Sequence, residues 1–334
     1  MSSSRRFFLV NGGAVLTVAM HPKSPKADDC APEESASTVP NLAFLVKFAP
    51  GARAAYVESI VANWKNAQDA GVKNRLRTKH FLVQLATETG GFKIIEENLY
   101  YRTAERLLKV FPKRFKSNAD AQPYVRNPQA LANFVYGNRY GNNGLQDGWR
   151  YRGSGFIQLT FKNNYTARGS IEGVKVVDEP DAVRTARLGF LVSTQFWSAC
   201  GANAPADRDD LIAVRKKING GINGLDQARL FLARANKLLV GRISSEEASE
   251  ISAEEISAVS SILSEAGLVR PQPAESGSQS EIIAGLQILR EEAGFPPINI
   301  AGLPTGAALQ TVYNDDRTFD AITDPQLWRV HPEE

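Results

Sequence analysis

The chain has 334 residues, of which 43% are hydrophobic and 22% charged, and its formal net charge is +3. This composition is typical of a soluble globular protein with one large domain or two smaller ones, and it excludes a chain too short or too polar to form a core. The charge is uneven, with +4 on residues 1–27, +10 on residues 28–240 and −11 on residues 241–334. Such asymmetry either attracts an anionic partner to the basic region or only aids solubility.

Residues 1–27 resemble a twin-arginine signal peptide. Arg5 and Arg6 lie in the frame S-R-R-x-F-L, and a mildly apolar stretch follows them. The pattern predicts export of the folded protein across a bacterial inner membrane and a periplasmic or secreted location. The apolar stretch is too short, and too broken by Asn11, to span a bilayer comfortably. No other segment has the character of a membrane span, so we expect none once the signal is removed. The alternative is a basic disordered N-terminus.

Cys30 and Cys200 are the two cysteines of the chain. In an oxidising compartment they either pair or remain two isolated buried thiols. Two cysteines and three scattered histidines do not make a metal site, so the sequence predicts neither a metal nor another cofactor.

Residues 28–40 have the composition of a linker, and a mostly helical domain is predicted over residues 41–240. Near its start, Pro50 is predicted in the first turn of a helix whose apolar residues follow a helical spacing. A second helix is predicted within residues 74–92, ended by Gly90 and Gly91.

Glu88 falls in the last turn of this second helix. An anion is disfavoured there by the helix dipole, and the helix has a buried apolar face. We therefore expect a raised pKa for Glu88, which suits a general acid. The alternative is an ordinary glutamate on the helix surface.

A short β-like run is predicted from Phe156 to Thr160, after a stretch rich in glycine, asparagine and aromatic residues. Side chains alternate along such a run, so Gln158 and Thr160 would point together towards a cleft. The alternative is an exposed edge strand.

Residues 241–334 form an acidic, helical C-terminal region. Ser252 and Glu255 have the spacing of a capping box, residues 270–279 have the composition of a linker, and residues 280–295 are predicted to form a helix. The region is a small helical domain, a partner-docking arm or partly disordered. Because its charge is opposite to that of the preceding domain, intramolecular docking of this acidic tail beside a cleft is also expected.

Several separated motifs, in order and with matching spacing, resemble glycoside hydrolase family 19. They are "HFLVQLATETGGF", "EENLYY", "LLKVFPKRF", "NPQALANFVYGNRYGN", "DGWRYRGSGFIQLT", "NNY" and "INGGINGL", within residues 42–240. The branch with bacterial enzymes and phage endolysins is the more similar one. The resemblance implies a mainly α, lysozyme-like α+β fold with a small β element beside a substrate cleft. It also implies cleavage of β-1,4 links between N-acetylated amino sugars with inversion.

The resemblance implies a role for each matching position. Glu88 matches the general acid and Glu97 the second carboxylate, with Glu96 as the competing choice. Thr160 matches the hydroxyl residue that helps to hold the attacking water. The substrate-contacting positions are Gln158, Asn164, Asn219 and, in the wall of the cleft, Tyr101.

The same two glutamates make chemical sense without the family. An inverting glycosidase separates a proton-donating carboxyl from a water-activating carboxylate by about 6.5–9.5 Å. A helix end, a glycine break and a following loop can provide this separation.

Thr87 and Ser154 are among the positions that depart from the family pattern. Thr87 stands where the family usually has histidine, and Ser154 stands where it usually has arginine. These departures keep a second hypothesis open, a non-catalytic protein that binds cell-wall polysaccharide on the same scaffold.

The basic domain and the export signal favour anionic peptidoglycan over neutral chitin as the polysaccharide. Basic and aromatic residues alternate over 149–152, but the export signal makes a nucleic-acid partner unexpected. The sequence does not predict the oligomeric state.

Overall fold

The computed structural model of the chain describes residues 39–239, 251–269 and 279–324. The predicted signal peptide, Cys30, and most of both predicted linkers lie outside the described residues.

The described part of the chain is mainly helical. Its α-helices are α1 (Leu42–Phe48), α2 (Ala54–Ala62), α3 (Trp64–Asp69), α4 (Arg75–Thr89), α5 (Ala104–Val110), α6 (Asn118–Ala121), α7 (Pro128–Tyr136), α8 (Asp147–Arg150), α9 (Lys162–Thr166), α10 (Ala186–Ala199), α11 (Asn203–Asp207), α12 (Leu211–Asn219), α13 (Leu225–Leu239), α14 (Ala253–Glu265), α15 (Gln279–Glu292), α16 (Thr305–Tyr313) and α17 (Asp316–Ile322). Two 3₁₀ segments span Gln122–Tyr124 and Pro180–Arg184. The strands β1 (Ser170–Ile171) and β2 (Val174–Lys175) pair antiparallel. The predicted mainly α class with a helical C-terminal extension is confirmed.

The central helix α4 has the boundaries that the sequence predicts. The Asn74 side chain accepts a hydrogen bond from the Arg77 backbone N–H at the N-terminus, and Gly90 ends the helix in the left-handed conformation at φ 60°. Every residue from Thr78 to Thr89 is buried. A helix buried on all sides lies inside the domain, so Glu88 is enclosed rather than exposed on the surface.

Two details of the predicted elements are wrong. Pro50 lies in a turn before α2, which begins only at Ala54, because the chain first turns after α1. The run from Phe156 to Thr160 is not a strand. Residues 155–158 form a tight turn, and only Leu159 pairs, with Ser154. The apolar side chains of the run are buried on both sides of it, so period-two alternation did not apply.

Two apolar cores are present in the described residues. The first core joins α1–α4 and α10–α13. The second core lies between Leu99 and Phe161 and contains buried residues of α5, α6 and α7. The segment that carries Glu97 runs from the first core into the second.

The C-terminal helices α14–α17 add their apolar side chains to the first core. The capping box at the start of α14 is confirmed, since Ser252 and Glu255 exchange both hydrogen bonds. The Phe319 ring packs against Phe231 of α13 with centroids 5.3 Å apart. The division of the chain into domains at residue 240 stays a prediction.

Within the described ranges, none of the helices combines the length and apolar character needed to cross a membrane.

Candidate active site

Glu88 lies in the last turn of α4 with only 1% of its surface exposed. Its Oε1 accepts a hydrogen bond from Nη1 of Arg215 at 2.8 Å and lies 3.5 Å from Nδ2 of Asn219. Arg215 is itself fully buried. A buried ion pair with an added amide donor therefore holds the predicted acid.

Helix spacing explains this arrangement. Arg215 and Asn219 are four residues apart on α12, so they share a face of that helix, as do Gln84 and Glu88 on α4. Nη1 of Arg215 also donates to Oε1 of Gln84 at 3.1 Å, and its Nε donates to the Asn223 carbonyl at 2.7 Å. The guanidinium is thus fixed by α4 on one side and by the loop that follows α12 on the other.

Two opposite effects act on the charge of Glu88. Burial favours the neutral carboxylic acid, whereas the guanidinium 2.8 Å away favours the carboxylate. The raised pKa expected from the sequence rests on burial and the helix dipole, and this cation opposes both of them. The raised pKa of Glu88 stays a prediction that the pH dependence of the rate must test.

Glu97 is also buried, with 6% of its surface exposed, and its donors come from two elements. The Tyr136 hydroxyl donates to Oε1 at 2.6 Å, and the Gly153 backbone N–H donates to Oε2 at 3.1 Å. Tyr136 belongs to the second core. Two donors fix the orientation of this carboxylate and favour its charged form, as a base that activates water requires.

Glu96 occupies a different environment from its neighbour. Its side chain is 47% exposed and pairs with Arg152, whose Nε donates to Oε1 at 3.0 Å. The two glutamates diverge because residues 95–97 are extended and pair with residues 153–155, which sends successive side chains to opposite faces. This geometry favours Glu97 over Glu96 as the second carboxylate, and the choice stays a prediction.

Gln158, Thr160 and Asn164 form a continuous hydrogen-bonded chain. The Thr160 hydroxyl donates to the Gln158 carbonyl at 2.9 Å, and Nδ2 of Asn164 donates to the Thr160 carbonyl at 2.7 Å. Gln158 has φ 53° and Phe161 has φ 73°, a left-handed conformation that is uncommon for such residues and is found at functional sites.

Gly153 lies between Glu97 and Gln158, the first residue of this hydrogen-bonded series. A Cβ at Gly153 would lie 3.0 Å from Oε1 of Gln158 and 3.1 Å from Oε2 of Glu97. Both side chains therefore contact the same glycine, and a larger residue there would have to displace them by a few tenths of an ångström.

The predicted residues thus fall into two groups and one separate position. Glu88 and Asn219 form the first group, and Glu97 lies with Gln158, Thr160 and Asn164 in the second. Tyr101 packs its ring against Phe111 in the second core, with centroids 5.8 Å apart. Its neighbour Tyr100 is 48% exposed.

A cavity of about 340 Å³ opens beside Glu97. It is lined by Arg53, Tyr56, Ile94, Ile95, Glu96, Glu97, Asn98, Leu99, Tyr100, Pro128 and Trp149. Tyr101 and Glu88 are not in this lining. Among the described residues, no group of three or more His, Cys, Asp or Glu side chains is arranged to hold a metal ion.

Thr87 and Ser154, which depart from the family pattern, both donate a hydrogen bond to a nearby backbone carbonyl. The Thr87 hydroxyl donates to the Val83 carbonyl at 2.7 Å, and the Ser154 hydroxyl donates to the Arg152 carbonyl at 2.9 Å. Neither of these two hydrogen bonds involves Glu88 or Glu97.

Sequence reasoning missed Arg215 and Tyr136. Arg215 had a usable signal, because it lies four residues before Asn219 and two such residues share a face wherever the segment is helical. Tyr136 had no such signal, since it meets Glu97 only through the packing of α7 across 39 residues of chain.

No family model matches the chain. Individual relatives do. A glycosyl hydrolase family 19 domain-containing protein of Haemophilus influenzae is 35% identical over 162 residues, which is 48% of this chain and 78% of that protein. Acidic endochitinase Q of Nicotiana tabacum is 41% identical over 64 residues, covering 19% of this chain and 25% of that protein. Chitinase C from Streptomyces griseus, a solved structure, is 17% identical with a TM-score of 0.41, covering 64% of this chain and 80% of that one.

The Haemophilus relative defines the class of this protein, which is a glycoside hydrolase. The chain belongs to glycoside hydrolase family 19, as its motifs predicted.

Proposed function

We propose that the protein is an exported glycosidase that cleaves β-1,4 links between N-acetylated amino sugars with inversion, and that peptidoglycan is preferred over chitin. The observation that supports this most directly is the pair of buried carboxylates with unlike partners. Glu88 is held by a cation and an amide, and Glu97 by a phenol and a backbone N–H. Unlike environments are how two carboxyl groups acquire the separate roles of acid and base.

In the proposed mechanism Glu88 donates a proton to the leaving oxygen and Glu97 removes a proton from the attacking water. Thr160 and Gln158 orient this water and the sugar from beside Glu97. No covalent intermediate forms, since inversion takes place in one displacement.

Product analysis with purified peptidoglycan and, separately, with chitin oligomers tests this function. We expect soluble fragments from peptidoglycan, with the newly formed reducing end in the α configuration by NMR. Glu88→Gln and Glu97→Gln should each lower the rate by about 10²–10⁴-fold while the fold is retained. Glu96→Gln is the matched control and should keep near-normal turnover.

The substrate preference is supported by the charge of residues 28–240, which is +10, because anionic peptidoglycan is attracted to such a surface and neutral chitin is not. The plant relative is an endochitinase and the Streptomyces protein a chitinase, so chitin is the polymer named for those proteins. A preference for chitin oligomers in the same assay would reverse the proposal on substrate alone. Binding of either polymer without cleavage would favour the non-catalytic alternative.

Export by the twin-arginine route is proposed from Arg5 and Arg6, which lie outside the described residues. Changing both to lysine should leave the protein in the cytoplasm with its signal attached. Cell fractionation followed by mass measurement of the N-terminus shows the outcome, and normal export of the double variant would remove the proposal.

A further inference from the structure

The cavity beside Glu97 is lined by three acidic or basic side chains, those of Arg53, Glu96 and Glu97, and these bear on the charge of its ligand. Its volume of about 340 Å³ is in the range of small-ligand sites. Because Glu97 is the predicted base, whatever fills this cavity lies next to the reacting sugar.

The negative charge of Glu96 is offset by its neighbours. It pairs with Arg152, and Nε of Arg184 lies 3.9 Å from the same oxygen. The Arg152 guanidinium carbon stacks 3.6 Å from the centroid of the Trp149 ring, which holds this cation in place. Glu96 therefore does not repel an anion as a lone carboxylate would.

Arg53 combines a fixed backbone with an exposed guanidinium. Its side chain is exposed, and among the described residues its guanidinium has neither an ion pair nor a hydrogen bond. Its backbone is fixed, because its N–H donates to the Phe92 carbonyl at 3.1 Å and the residue directly precedes α2. The guanidinium carbon lies 5.7 Å from the centroid of the Tyr56 ring, another residue of the cavity wall.

We propose that Arg53 binds a carboxylate carried by the polysaccharide, and that it makes the protein selective for glycans with a lactyl ether or an acidic peptide on alternate sugars. A guanidinium binds a carboxylate through two parallel hydrogen bonds, which a neutral amino-sugar polymer cannot accept in this way. This inference rests on the proposed glycosidase function and adds the group that selects the substrate.

The test compares two substrates and three variants. The substrates are chitohexaose, which is neutral, and peptidoglycan glycan strands freed of peptide by an amidase, which carry the lactyl carboxylate. Arg53→Gln should lower kcat/KM on the glycan strands about tenfold, mainly through KM, and change chitohexaose cleavage less than about twofold. Arg53→Lys keeps the charge but not the two-point contact. Its kcat/KM on the glycan strands should therefore lie between the values of the wild type and of Arg53→Gln.

Arg75→Gln is the matched control. Arg75 is an exposed arginine at the first turn of α4, about 20 Å along the helix from Glu88, and its loss changes the net charge by the same amount. It should leave the ratio of the two activities unchanged. Raising the salt concentration should also reduce the preference of the wild type for glycan strands over chitohexaose, because added ions screen an exposed charge.

A binding measurement separates this inference from the function it rests on. Labelled glycan strands are titrated onto Glu97→Gln with and without Arg53→Gln. If Arg53→Gln weakens the binding of the carboxylate-bearing strands but not that of chitohexaose, the role of Arg53 is supported. This conclusion holds even if the wild type cleaves neither substrate and the proposed function fails. Equal effects of Arg53→Gln on both substrates, or no effect on either, would overturn the role of Arg53 while leaving a cleaving enzyme established.

Discussion

Arg215 places a buried guanidinium 2.8 Å from the carboxylate that is expected to donate a proton. A general acid must carry its proton when the substrate is bound, and a neighbouring cation opposes this by stabilising the carboxylate. Burial acts in the other direction. The pH range in which Glu88 is protonated therefore depends on the balance between Arg215 and the enclosed position of α4.

Replacing Arg215 with methionine tests this balance. Without the cation, the proton is retained to higher pH, so the alkaline limb of the pH–rate profile should move upwards. Breaking a buried pair from one side should also lower the free energy of unfolding by about 3–5 kcal/mol. Arg215→Lys, which keeps the charge, should shift the profile less. An unchanged profile in the methionine variant would show that the cation does not control Glu88.

His80 supplies a second prediction for a single residue. It is fully buried on α4, and its Nε2 donates to Oδ1 of Asp209 at 2.6 Å, while Nδ1 has no hydrogen-bond partner among the described residues. Burial lowers the pKa of His80, although the carboxylates of Asp209 and Asp210 oppose this, and Lys79 adds to the lowering. The histidine is therefore neutral at pH 7 in the folded state.

The sign of the pH effect follows from the lowered pKa. The unfolded chain binds a proton on His80 below a pH of about 6.5, whereas the folded chain does so only at lower pH. Stability is complete above that value and should fall as the pH decreases towards the folded pKa. Thermal melting between pH 7.5 and 5 should show this decline, and His80→Gln should flatten it. A decline of the same size in the variant would assign the effect to other groups.

The loop between α4 and Glu97 is the element on which the distance between the two carboxylates depends. Asp320 of α17 holds this loop from outside. Its Oδ1 accepts a hydrogen bond from the Gly51 backbone N–H at 3.1 Å and lies 3.4 Å from Nζ of Lys93. Nζ of Lys93 also donates to the Asp320 carbonyl at 2.9 Å. One carboxylate thus joins the turn before α2 to the loop that follows Gly91.

Asp320→Ala should loosen this junction. We expect a loss of about 1 kcal/mol in the free energy of unfolding, since the contacts are partly exposed. The rate should fall more than the affinity for substrate, because the loop sets the position of Glu97 relative to Glu88. Steady-state kinetics and denaturant unfolding measure both.

Glu292→Ala, an exposed carboxylate at the end of α15, is the control for this variant and should change neither quantity. A loss of stability in Asp320→Ala with kcat unchanged would limit the junction to a structural role.

At the scale of the whole molecule, the uneven charge of the chain is partly resolved by contacts between its regions. Asp316 pairs with Arg234, and Oε1 of Glu255 accepts from Nζ of Lys237 at 2.9 Å. The Tyr313 hydroxyl donates to the same Glu255 oxygen at 2.8 Å. Together with the buried Phe319 ring, these contacts fasten the acidic helices to α13. Docking of the tail beside the cleft, where it would compete with an anionic substrate, stays a prediction.

Deletion of residues 241–334 distinguishes the contribution of the tail to the shared core from its competition with substrate. Loss of the shared core should lower the melting temperature by about 5 °C or more, since it uncovers Phe231. If the tail also competes with substrate, activity on peptidoglycan at low salt should rise, and the gain should vanish at high salt. Chitin oligomers, assayed well below the melting temperature, control for damage to the site. Equal activity at every salt concentration would exclude competition.

The sequence by itself determined the elements whose causes are local. Asn74 and Gly90 bound α4 because a cap and a left-handed residue act within a few positions of the chain. The capping box of Ser252 and Glu255 is equally local, and it too was predictable. The order and spacing of the motifs were enough to predict the family, and so the pair of glutamates.

Only the tertiary structure decided what surrounds those glutamates. The Arg215 cation reaches Glu88 from 127 residues away, and Tyr136 reaches Glu97 from 39 residues away. The run before Thr160 became a turn because the apolar side chains on both of its sides are buried, which overrode its strand-like pattern. Such contacts depend on how helices pack, and a linear pattern specifies which face of an element is buried but not which partner that face meets.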